Sequence, residues 1–240
     1  GQTTYNLFRE FSKIITKLLS TSIIPLLPVY IFGTFMNMTY SGQIFATLSI
    51  FLKVFICVII LHILYTSGLF IFAGGLSGKN PFVCMKNQIP GYFTALGTQS
   101  SAATIPINIE CAKRNGTSPE IREFVVPLCA TIHLAGSIIT ITSCVVTVLM
   151  MHSMSYGIST IFPFIMVLGV AMVAAPGAPG GAIMSALPFL GMVGIASSSP
   201  MASLLIALYI TQDSFGTAAN VSGDNAIAII CLLYTSDAAD

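Results

Sequence analysis

The stretch "AAPGAPGGAIM", residues 174–184, interrupts a long apolar region and decides the fold of this chain. Its core of prolines and glycines cannot form a regular helix, because proline lacks a backbone donor and glycine favours helix ends. Apolar sequence flanks it from about residue 158 to residue 195. Residues 158–195 are therefore predicted to form a broken helical hairpin. Such an element is tolerated in a membrane only where its tip is buried in protein or lines a cavity.

A second interrupted segment, residues 80–113, carries a small polar tip, "GTQSSAATIP" at residues 97–106. Basic residues flank this tip on both sides: Lys79, Lys86, Lys113, Arg114 and Arg122. Because short basic loops mark the cytoplasmic side of a membrane, both ends of the segment are expected on that side. Pro90, Gly91, Gly97 and Pro106 exclude one continuous spanning helix, so the segment is predicted to enter the membrane and return as a re-entrant hairpin.

The composition is that of an integral membrane protein. Of the 240 residues, 55% are hydrophobic and only 7% are charged, and the mean hydropathy is +0.91. In soluble domains about a quarter of all residues are charged. Apolar stretches of about 20 residues recur, without the alternation typical of an outer-membrane barrel. The chain is predicted to be an all-α polytopic membrane protein, and its small net charge gives no indication of nucleic-acid binding.

Further apolar stretches could cross a bilayer: residues 6–38, 44–74, 124–150 and a last span that begins near Ser199. From residue 80 onwards the order is broken hairpin, span, broken hairpin, span. A unit that occurs twice, with polar tips in corresponding positions, is typical of the binding site of a secondary transporter built from inverted repeats.

The two ends of the chain have unusual sequences. The first residues show neither an initiator Met nor a signal peptide, so the chain is interpreted as an internal fragment. The last ten residues, "CLLYTSDAAD" from Cys231, resemble a translated sequencing adapter. They are expected to break the helical pattern and to be non-native.

Two carboxylates stand in the otherwise apolar last span, within "TQDSFGTAANVSGDNA" at residues 211–226. At the period of an α-helix one stripe contains four polar residues: Asp213, Thr217, Asn220 and Asp224. A carboxylate at the centre of a membrane helix costs roughly 2.5–3.5 kcal/mol, so both acids should face the protein interior and meet cations or donors. Their partner is a metal cation, a substrate ammonium group or a proton.

The alternative is a structural role, in which these polar groups pair with backbone or water and hold helices together. It suits Thr217 and Asn220 better than the two acids, because linking helices does not need ionised groups. Ser100 and Ser101 are interpreted as donors for an anionic ligand group, since helix N-termini in unwound segments carry free N–H groups.

The three motifs together resemble the dicarboxylate/amino acid:cation symporter family, which includes the sodium-coupled glutamate transporters. The resemblance covers about residues 5–230 and lacks roughly the first four helices of the family. It implies a homotrimer in the cell membrane, in contact with lipid, in which a transport domain moves like an elevator against a scaffold. Residues 1–42 would be a scaffold-type helix, and residues 43–230 the transport domain. The latter would comprise helix 43–74, hairpin one (80–113), helix 119–150, hairpin two (158–195) and helix 199–230.

The resemblance also implies roles for single residues. Ser100 and Ser101 would hold the substrate carboxylate and Asp213 its ammonium group, with polar contacts from Thr217 and Asn220. A first cation site would combine the Asp224 carboxylate with backbone carbonyls of Cys129, His133 and Asn220. A second site would use carbonyls between Ala175 and Ala178. Such oxygen ligands suit Na⁺, with H⁺ as the alternative coupling ion, and no organic cofactor is implied.

This sequence departs from the family at two places. Gly216 stands where members that carry acidic substrates have Arg, which favours a neutral or small polar amino acid. A proton-coupled dicarboxylate or glutamate symporter is the alternative. "HLAGS", residues 133–137, replaces the family's Asn-Met-Asp-Gly-Thr and loses an acid of a further sodium site at Ala135. His133 itself is either a hydrogen-bonded structural residue or a proton carrier.

Two other classes compete with a symporter. An intramembrane enzyme could use the Ser, His and Asp residues, but neither a GxSxG nor an HExxH spacing occurs. A channel is the other option, although paired broken hairpins favour occlusion over an open pore. The chain is therefore predicted not to be an enzyme. Its cysteines, with no CxxC pair, are interpreted as packing residues.

Overall fold

The computed structural model describes residues 44–236 without a gap and scattered positions between residues 10 and 40. The chain divides into two compact units, residues 1–50 and residues 51–240. In the first unit the described positions include a 3-10 turn at Ile24–Leu26. The predicted first span, residues 6–38, lies largely outside the described residues.

Residues 44–236 form helices joined by short turns, without a β-strand, which confirms the predicted all-helical class. The α-helices in this range are α1 (Ile44–Ser77), α2 (Pro81–Thr98), α3 (Ser101–Arg114), α4 (Pro119–Ile132), α5 (Ala135–Met151), α6 (Ile158–Ala171), α7 (Gly181–Ala186), α8 (Pro200–Ile210) and α9 (Asp213–Ser236). Among the described residues, three helical stretches are long and apolar enough to cross a membrane: Leu48–Ser77, Pro119–Met151 and Asp213–Leu233.

Helices α2 and α3 are joined by a tight turn at the polar tip. Gln99 adopts a left-handed conformation with φ 52°, and the Ser100 hydroxyl caps α3 by accepting from the backbone N–H of Ala103 at 3.2 Å. The segment is not one continuous helix, as predicted, but the break lies at Gln99 and Ser100. The residues expected to interrupt it, Pro90, Gly91, Gly97 and Pro106, lie inside α2 and α3. The chain reverses at the tip because the left-handed residue ends one helix and the serine cap begins the next.

The segment around the glycine-rich tip is less regular. After α6 the chain continues through a 3-10 turn at Met172–Ala174 and a non-helical stretch to Gly180, which adopts a positive φ of 72°. Only six residues of α7 follow before a second 3-10 turn at Leu187–Val193. The proline and glycine residues therefore break this segment over a longer stretch than the single turn between α2 and α3.

Two predicted spans are each divided into two helices. The helix predicted for residues 119–150 breaks between α4 and α5 at His133 and Leu134. The last span breaks between α8 and α9 at Thr211 and Gln212. At the second break, the side chains of Thr211 and Gln212 both donate to the Leu208 carbonyl oxygen, at 2.7 and 3.0 Å. Polar side chains thus bond a carbonyl at the end of the helix.

The helical break expected at Cys231 is wrong. Helix α9 runs through to Ser236, because the residues that follow Cys231 are compatible with a helix and include neither Gly nor Pro up to that point. Residues 237–240 lie outside the described part of the chain.

Helix α9 is the central helix of the second unit and contacts α2, α3, α4 and α5. Small apolar clusters surround it, such as the one formed by Phe70, Ala73, Cys84, Ala226 and Ile229. Four cysteines are buried and reduced within this interior: Cys84, Cys111, Cys129 and Cys144. Packing around α9 therefore positions the polar stripe inside the protein.

Buried amide side chains link the α2–α3 pair to α9. Gln88 Nε2 donates to Asn108 Oδ1 at 3.0 Å, and Asn108 Nδ2 donates to the Val221 carbonyl oxygen at 2.9 Å. Asn225 Nδ2 donates to Gln88 Oε1 at 2.5 Å. Because buried polar groups are costly without partners, these mutual bonds stabilise the three helices only when they lie together.

Gly136 allows α5 to approach α9 closely. A Cβ at this position would overlap the Gly216 carbonyl oxygen and lie 2.7 Å from Cβ of Ala219. We expect Gly136→Ala to destabilise the protein by about 1–3 kcal/mol through overpacking. Gly169→Ala on α6 is the matched control, because a Cβ there meets no atom within 4 Å and alanine favours the helix. The measurement is thermal unfolding of the detergent-solubilised variants, in which only Gly136→Ala should have a lower Tm than the unmodified protein. Equal Tm values for both variants would contradict this packing.

Candidate functional site

A small cavity lies where the two tips meet the start of α5 and the beginning of α9. Four of the residues predicted to bind substrate line it: Ser101, Asp213, Thr217 and Asn220. Pro176 and Gly177, which lie in the tip predicted to hold a second cation, also line it. Other lining residues were not predicted from sequence: Gln99, Leu134, Ser137, Ala182 and Tyr209. Ala178, predicted for a cation site, also lines the cavity, whereas Ser100, Ala175 and Gly216 do not.

The two tips contact each other directly beside this cavity. The Ser100 hydroxyl donates to the Gly177 carbonyl oxygen at 2.6 Å. A Cβ on Gly177 would lie 3.2 Å from the Ala130 carbonyl oxygen and 3.4 Å from the backbone nitrogen of Ala102. Glycine at this position therefore lets the second tip lie close to the first.

Both carboxylate oxygens of Asp213 accept hydrogen bonds. Oδ1 accepts from the Tyr209 hydroxyl and Oδ2 accepts from the backbone N–H of Gly180, each at 2.7 Å. Asp213 is 4% exposed and Tyr209 is fully buried. Tyr209 precedes Asp213 by four residues, a spacing that could have been recognised in the sequence. The carboxylate is thus oriented by one tip and by the end of α8.

Asn220 links α9 to the start of α5. Its Oδ1 accepts from the backbone N–H groups of Gly136 and Ser137 at 2.7 and 3.2 Å, and its Nδ2 donates to the Ser137 hydroxyl at 2.9 Å. Leu134, the residue before α5, provides no side-chain cap. Because the first N–H groups of a helix lack partners within it, Asn220 performs the capping role from another helix.

Asp224 belongs to a separate polar group on the same face of α9. His133 Nδ1 lies 2.8 Å from Asp224 Oδ1, and the Tyr65 hydroxyl lies 2.8 Å from His133 Nε2. Asp224 is fully buried, and its Oδ2 has no hydrogen-bond partner in the described part of the chain. A buried carboxylate oxygen without a donor suits a cation, because an uncompensated charge there is costly.

The other predicted cation ligands lie at two places. Cys129 and His133 are at the end of α4, where the Cys129 carbonyl oxygen already accepts from the His133 N–H at 2.8 Å. Ala175 and Ala178 lie in the glycine-rich tip. Among the described residues no group of three His, Cys, Asp or Glu side chains could hold a metal ion. A cation at Asp224 would therefore depend on backbone carbonyls.

Gly216 faces α5 rather than the cavity. A Cβ there would lie 3.1 Å from Thr140 Oγ1 and 3.5 Å from the Gly136 carbonyl group. Behind Thr140 lies His62 of α1, whose Nε2 is 3.0 Å from the Gly136 carbonyl oxygen and 3.2 Å from Thr140 Oγ1. His62 is buried, and sequence reasoning gave it no role because no motif of functional residues surrounds it in the sequence.

Comparison with known proteins identifies the family. A sequence profile of the sodium:dicarboxylate symporter family matches residues 1–232. The serine/threonine transporter SstT of Acinetobacter baumannii (strain SDF) is 30% identical over 234 residues, which cover 93% of this chain and 56% of the relative. Excitatory amino acid transporter 1 of Rattus norvegicus is 27% identical over 194 residues, which cover 80% of this chain and 35% of the relative.

The chain spans about half the length of the SstT relatives it matches. The relatives are transporters by name, which agrees with the expectation that the chain is not an enzyme. The predicted resemblance is confirmed, and the chain belongs to the sodium:dicarboxylate symporter family.

Proposed function

We propose that this chain forms the substrate- and cation-binding part of a Na⁺-coupled symporter for a neutral or small polar amino acid. The observation that carries the proposal is the cavity into which Ser101, Asp213 and Thr217 converge beneath two touching tips. The name of the SstT relatives, serine/threonine transporter, supports a small polar substrate.

Asp213 would bind the ammonium group of the substrate. Its two oxygens each accept one hydrogen bond, and a carboxylate has further acceptor sites for an ammonium donor. Ser100 and Ser101 lie at the start of α3, where the positive end of the helix dipole favours the substrate carboxylate. Thr217 and Asn220 would supply further polar contacts.

The coupling cation would bind at Asp224. Its Oδ2, which lacks a hydrogen-bond partner among the described residues, would be joined by backbone carbonyls of Cys129, His133 and Asn220, since hard cations prefer oxygen ligands. A second cation would bind carbonyls between Ala175 and Ala178 in the other tip. Binding there would couple the cation to the closure of the cavity.

The two helical hairpins would be re-entrant. Lys79 donates to the Asn115 carbonyl oxygen and Asn87 Nδ2 donates to that of Arg114 at 3.1 Å, so the two ends of the first hairpin lie together. This proximity supports a segment that enters and leaves on one side. In the proposed mechanism residues 43–230 move as an elevator-type transport domain, residues 1–42 belong to a scaffold, and three protomers assemble in the cell membrane.

The proposal is tested by uptake into proteoliposomes that hold the transporter containing this chain. A panel of neutral amino acids, acidic amino acids and dicarboxylates is offered under an imposed Na⁺ gradient or an imposed H⁺ gradient. We expect concentrative uptake of serine-like substrates with Na⁺. An uptake rate that changes with neither the Na⁺ gradient nor the H⁺ gradient would contradict coupled symport.

Coupling to H⁺ is the second candidate, and the contact between His133 and Asp224 favours it. An imidazole bonded to a buried carboxylate can hold a proton where another symporter holds a metal cation. The gradient experiment separates the two ions, since only one gradient should drive uptake.

Gly216→Arg is expected to shift preference towards acidic substrates, because a guanidinium pairs with a second carboxylate. Since a side chain there meets Thr140 Oγ1, the shift should be larger when Thr140→Ala removes this hydroxyl. The measurement is the ratio of aspartate to serine uptake, with Thr140→Ala alone as the control. An unchanged ratio in the double variant would show that the substrate side chain binds elsewhere.

A further inference from the structure

Tyr65 reaches from α1 to the polar group at Asp224 and does not line the substrate cavity. Its hydroxyl is 2.8 Å from His133 Nε2, and the two rings are stacked with centroids 6.4 Å apart and an interplanar angle of 25°. Neither the sequence motifs nor the proposed transport mechanism uses this residue.

The hydrogen bonds of the His133 ring have a direction. An ionised Asp224 can only accept, so Nδ1 carries the hydrogen and donates to Oδ1 at 2.8 Å. The neutral ring then has a bare Nε2, which accepts from the Tyr65 hydroxyl. Each ring nitrogen has one partner of the right kind, and the Tyr65 hydroxyl donates to the nitrogen that this tautomer leaves without a hydrogen.

The His133 ring also packs against the backbone of α9. A Cβ on Gly223 would overlap the His133 ring, with Nε2 at 3.2 Å, so the imidazole lies against the bare backbone of α9. Together with Tyr65 and Asp224 this contact fixes the ring on three sides. With Oδ1 taken by His133, only Oδ2 of the carboxylate is free of hydrogen bonds within the described residues.

We propose that Tyr65 is a positioning residue for the cation site. By holding His133 on Asp224 Oδ1, it fixes the carboxylate so that Oδ2 is the oxygen offered to the cation. Outer partners of this kind orient ligands without touching the ion. The inference rests on the proposed cation coupling at Asp224 and adds the residue that orients the ligand.

Tyr65→Phe tests this role because it keeps the aromatic ring and removes only the donor to Nε2. We expect the Na⁺ concentration at half-maximal effect to rise about three- to tenfold, the equivalent of one lost hydrogen bond. This Na⁺ midpoint is measured in two ways. The first is the rise of Tm with NaCl, with choline chloride replacing NaCl to keep the ionic strength constant. The second is the Na⁺ dependence of uptake. Substrate affinity at saturating Na⁺ should stay unchanged.

Tyr92→Phe is the matched control. Tyr92 is also half-buried, and its hydroxyl makes no hydrogen bond in the described part of the chain; its replacement should leave the Na⁺ dependence unchanged. In a His133→Ala background Tyr65→Phe should add no further effect, because the hydroxyl then has no ring to orient.

The outcomes are distinguishable. A lower Tm of Tyr65→Phe in choline with an unchanged Na⁺ midpoint would assign Tyr65 a merely structural role and overturn the inference. An additive effect in the His133→Ala background would overturn it too. If the unmodified protein shows no response to Na⁺, the proposed function fails and this inference fails with it.

Discussion

Asp224→Asn is expected to raise the Na⁺ concentration needed for half-maximal uptake about 30-fold or more. The variant keeps the shape of the side chain and can still accept from His133, but its Nδ2 then replaces Oδ2, so the cation loses both a charge and an acceptor. Removing one partner of a buried charge pair costs about 2–5 kcal/mol. The full burial of Asp224 places this substitution among the largest expected effects.

The measurement is uptake in proteoliposomes across a range of Na⁺ concentrations, with Na⁺-dependent thermal stabilisation as a readout that does not need transport. Asp224→Glu, which keeps the charge, serves as the comparison. A Na⁺ midpoint that stays the same in Asp224→Asn would exclude this residue from the coupling site.

Asp213→Asn is expected to weaken binding of α-amino acids about 10- to 100-fold. A hydrogen bond between charged groups contributes about 1.5–3 kcal/mol, and the buried position of Asp213 keeps water from replacing it. Analogues that lack the α-amino group should lose much less affinity, because they have no ammonium partner for the carboxylate.

Competition of labelled substrate by amino acids and their deaminated analogues measures this difference. The asparagine oxygen can still accept from the Tyr209 hydroxyl, but the amide nitrogen cannot accept from the Gly180 N–H as Oδ2 does. Tyr209→Phe therefore separates orientation of the side chain from loss of charge. Equal losses for both classes of ligand in Asp213→Asn would argue against an ammonium partner.

The buried stripe of α9 was predictable because helical periodicity alone brings Asp213, Thr217, Asn220 and Asp224 to one face. The structure divides the stripe into two sites, which periodicity could not do. Asp213, Thr217 and Asn220 line the cavity, whereas Asp224 faces His133. The division depends on which neighbouring helix each turn of α9 meets.

Contacts between distant segments explain what sequence reasoning missed. Tyr65 and His62 come from α1, and only tertiary packing brings them to His133 and Thr140. The break at Thr211 and Gln212 was also hidden, since neither Gly nor Pro marks it. At Pro90 and Pro106 the opposite occurred: both residues suggested interruptions, and the helices contain them.

The hydrogen bond from Gly136 to Asn220 has a consequence for the order of folding. The acceptor lies 84 residues after the donor, so the start of α5 has no such partner when it leaves the ribosome. Its first turn is completed only after α9 has been synthesised and inserted. A nascent chain that stops before residue 220 would therefore leave this helix end without its cap.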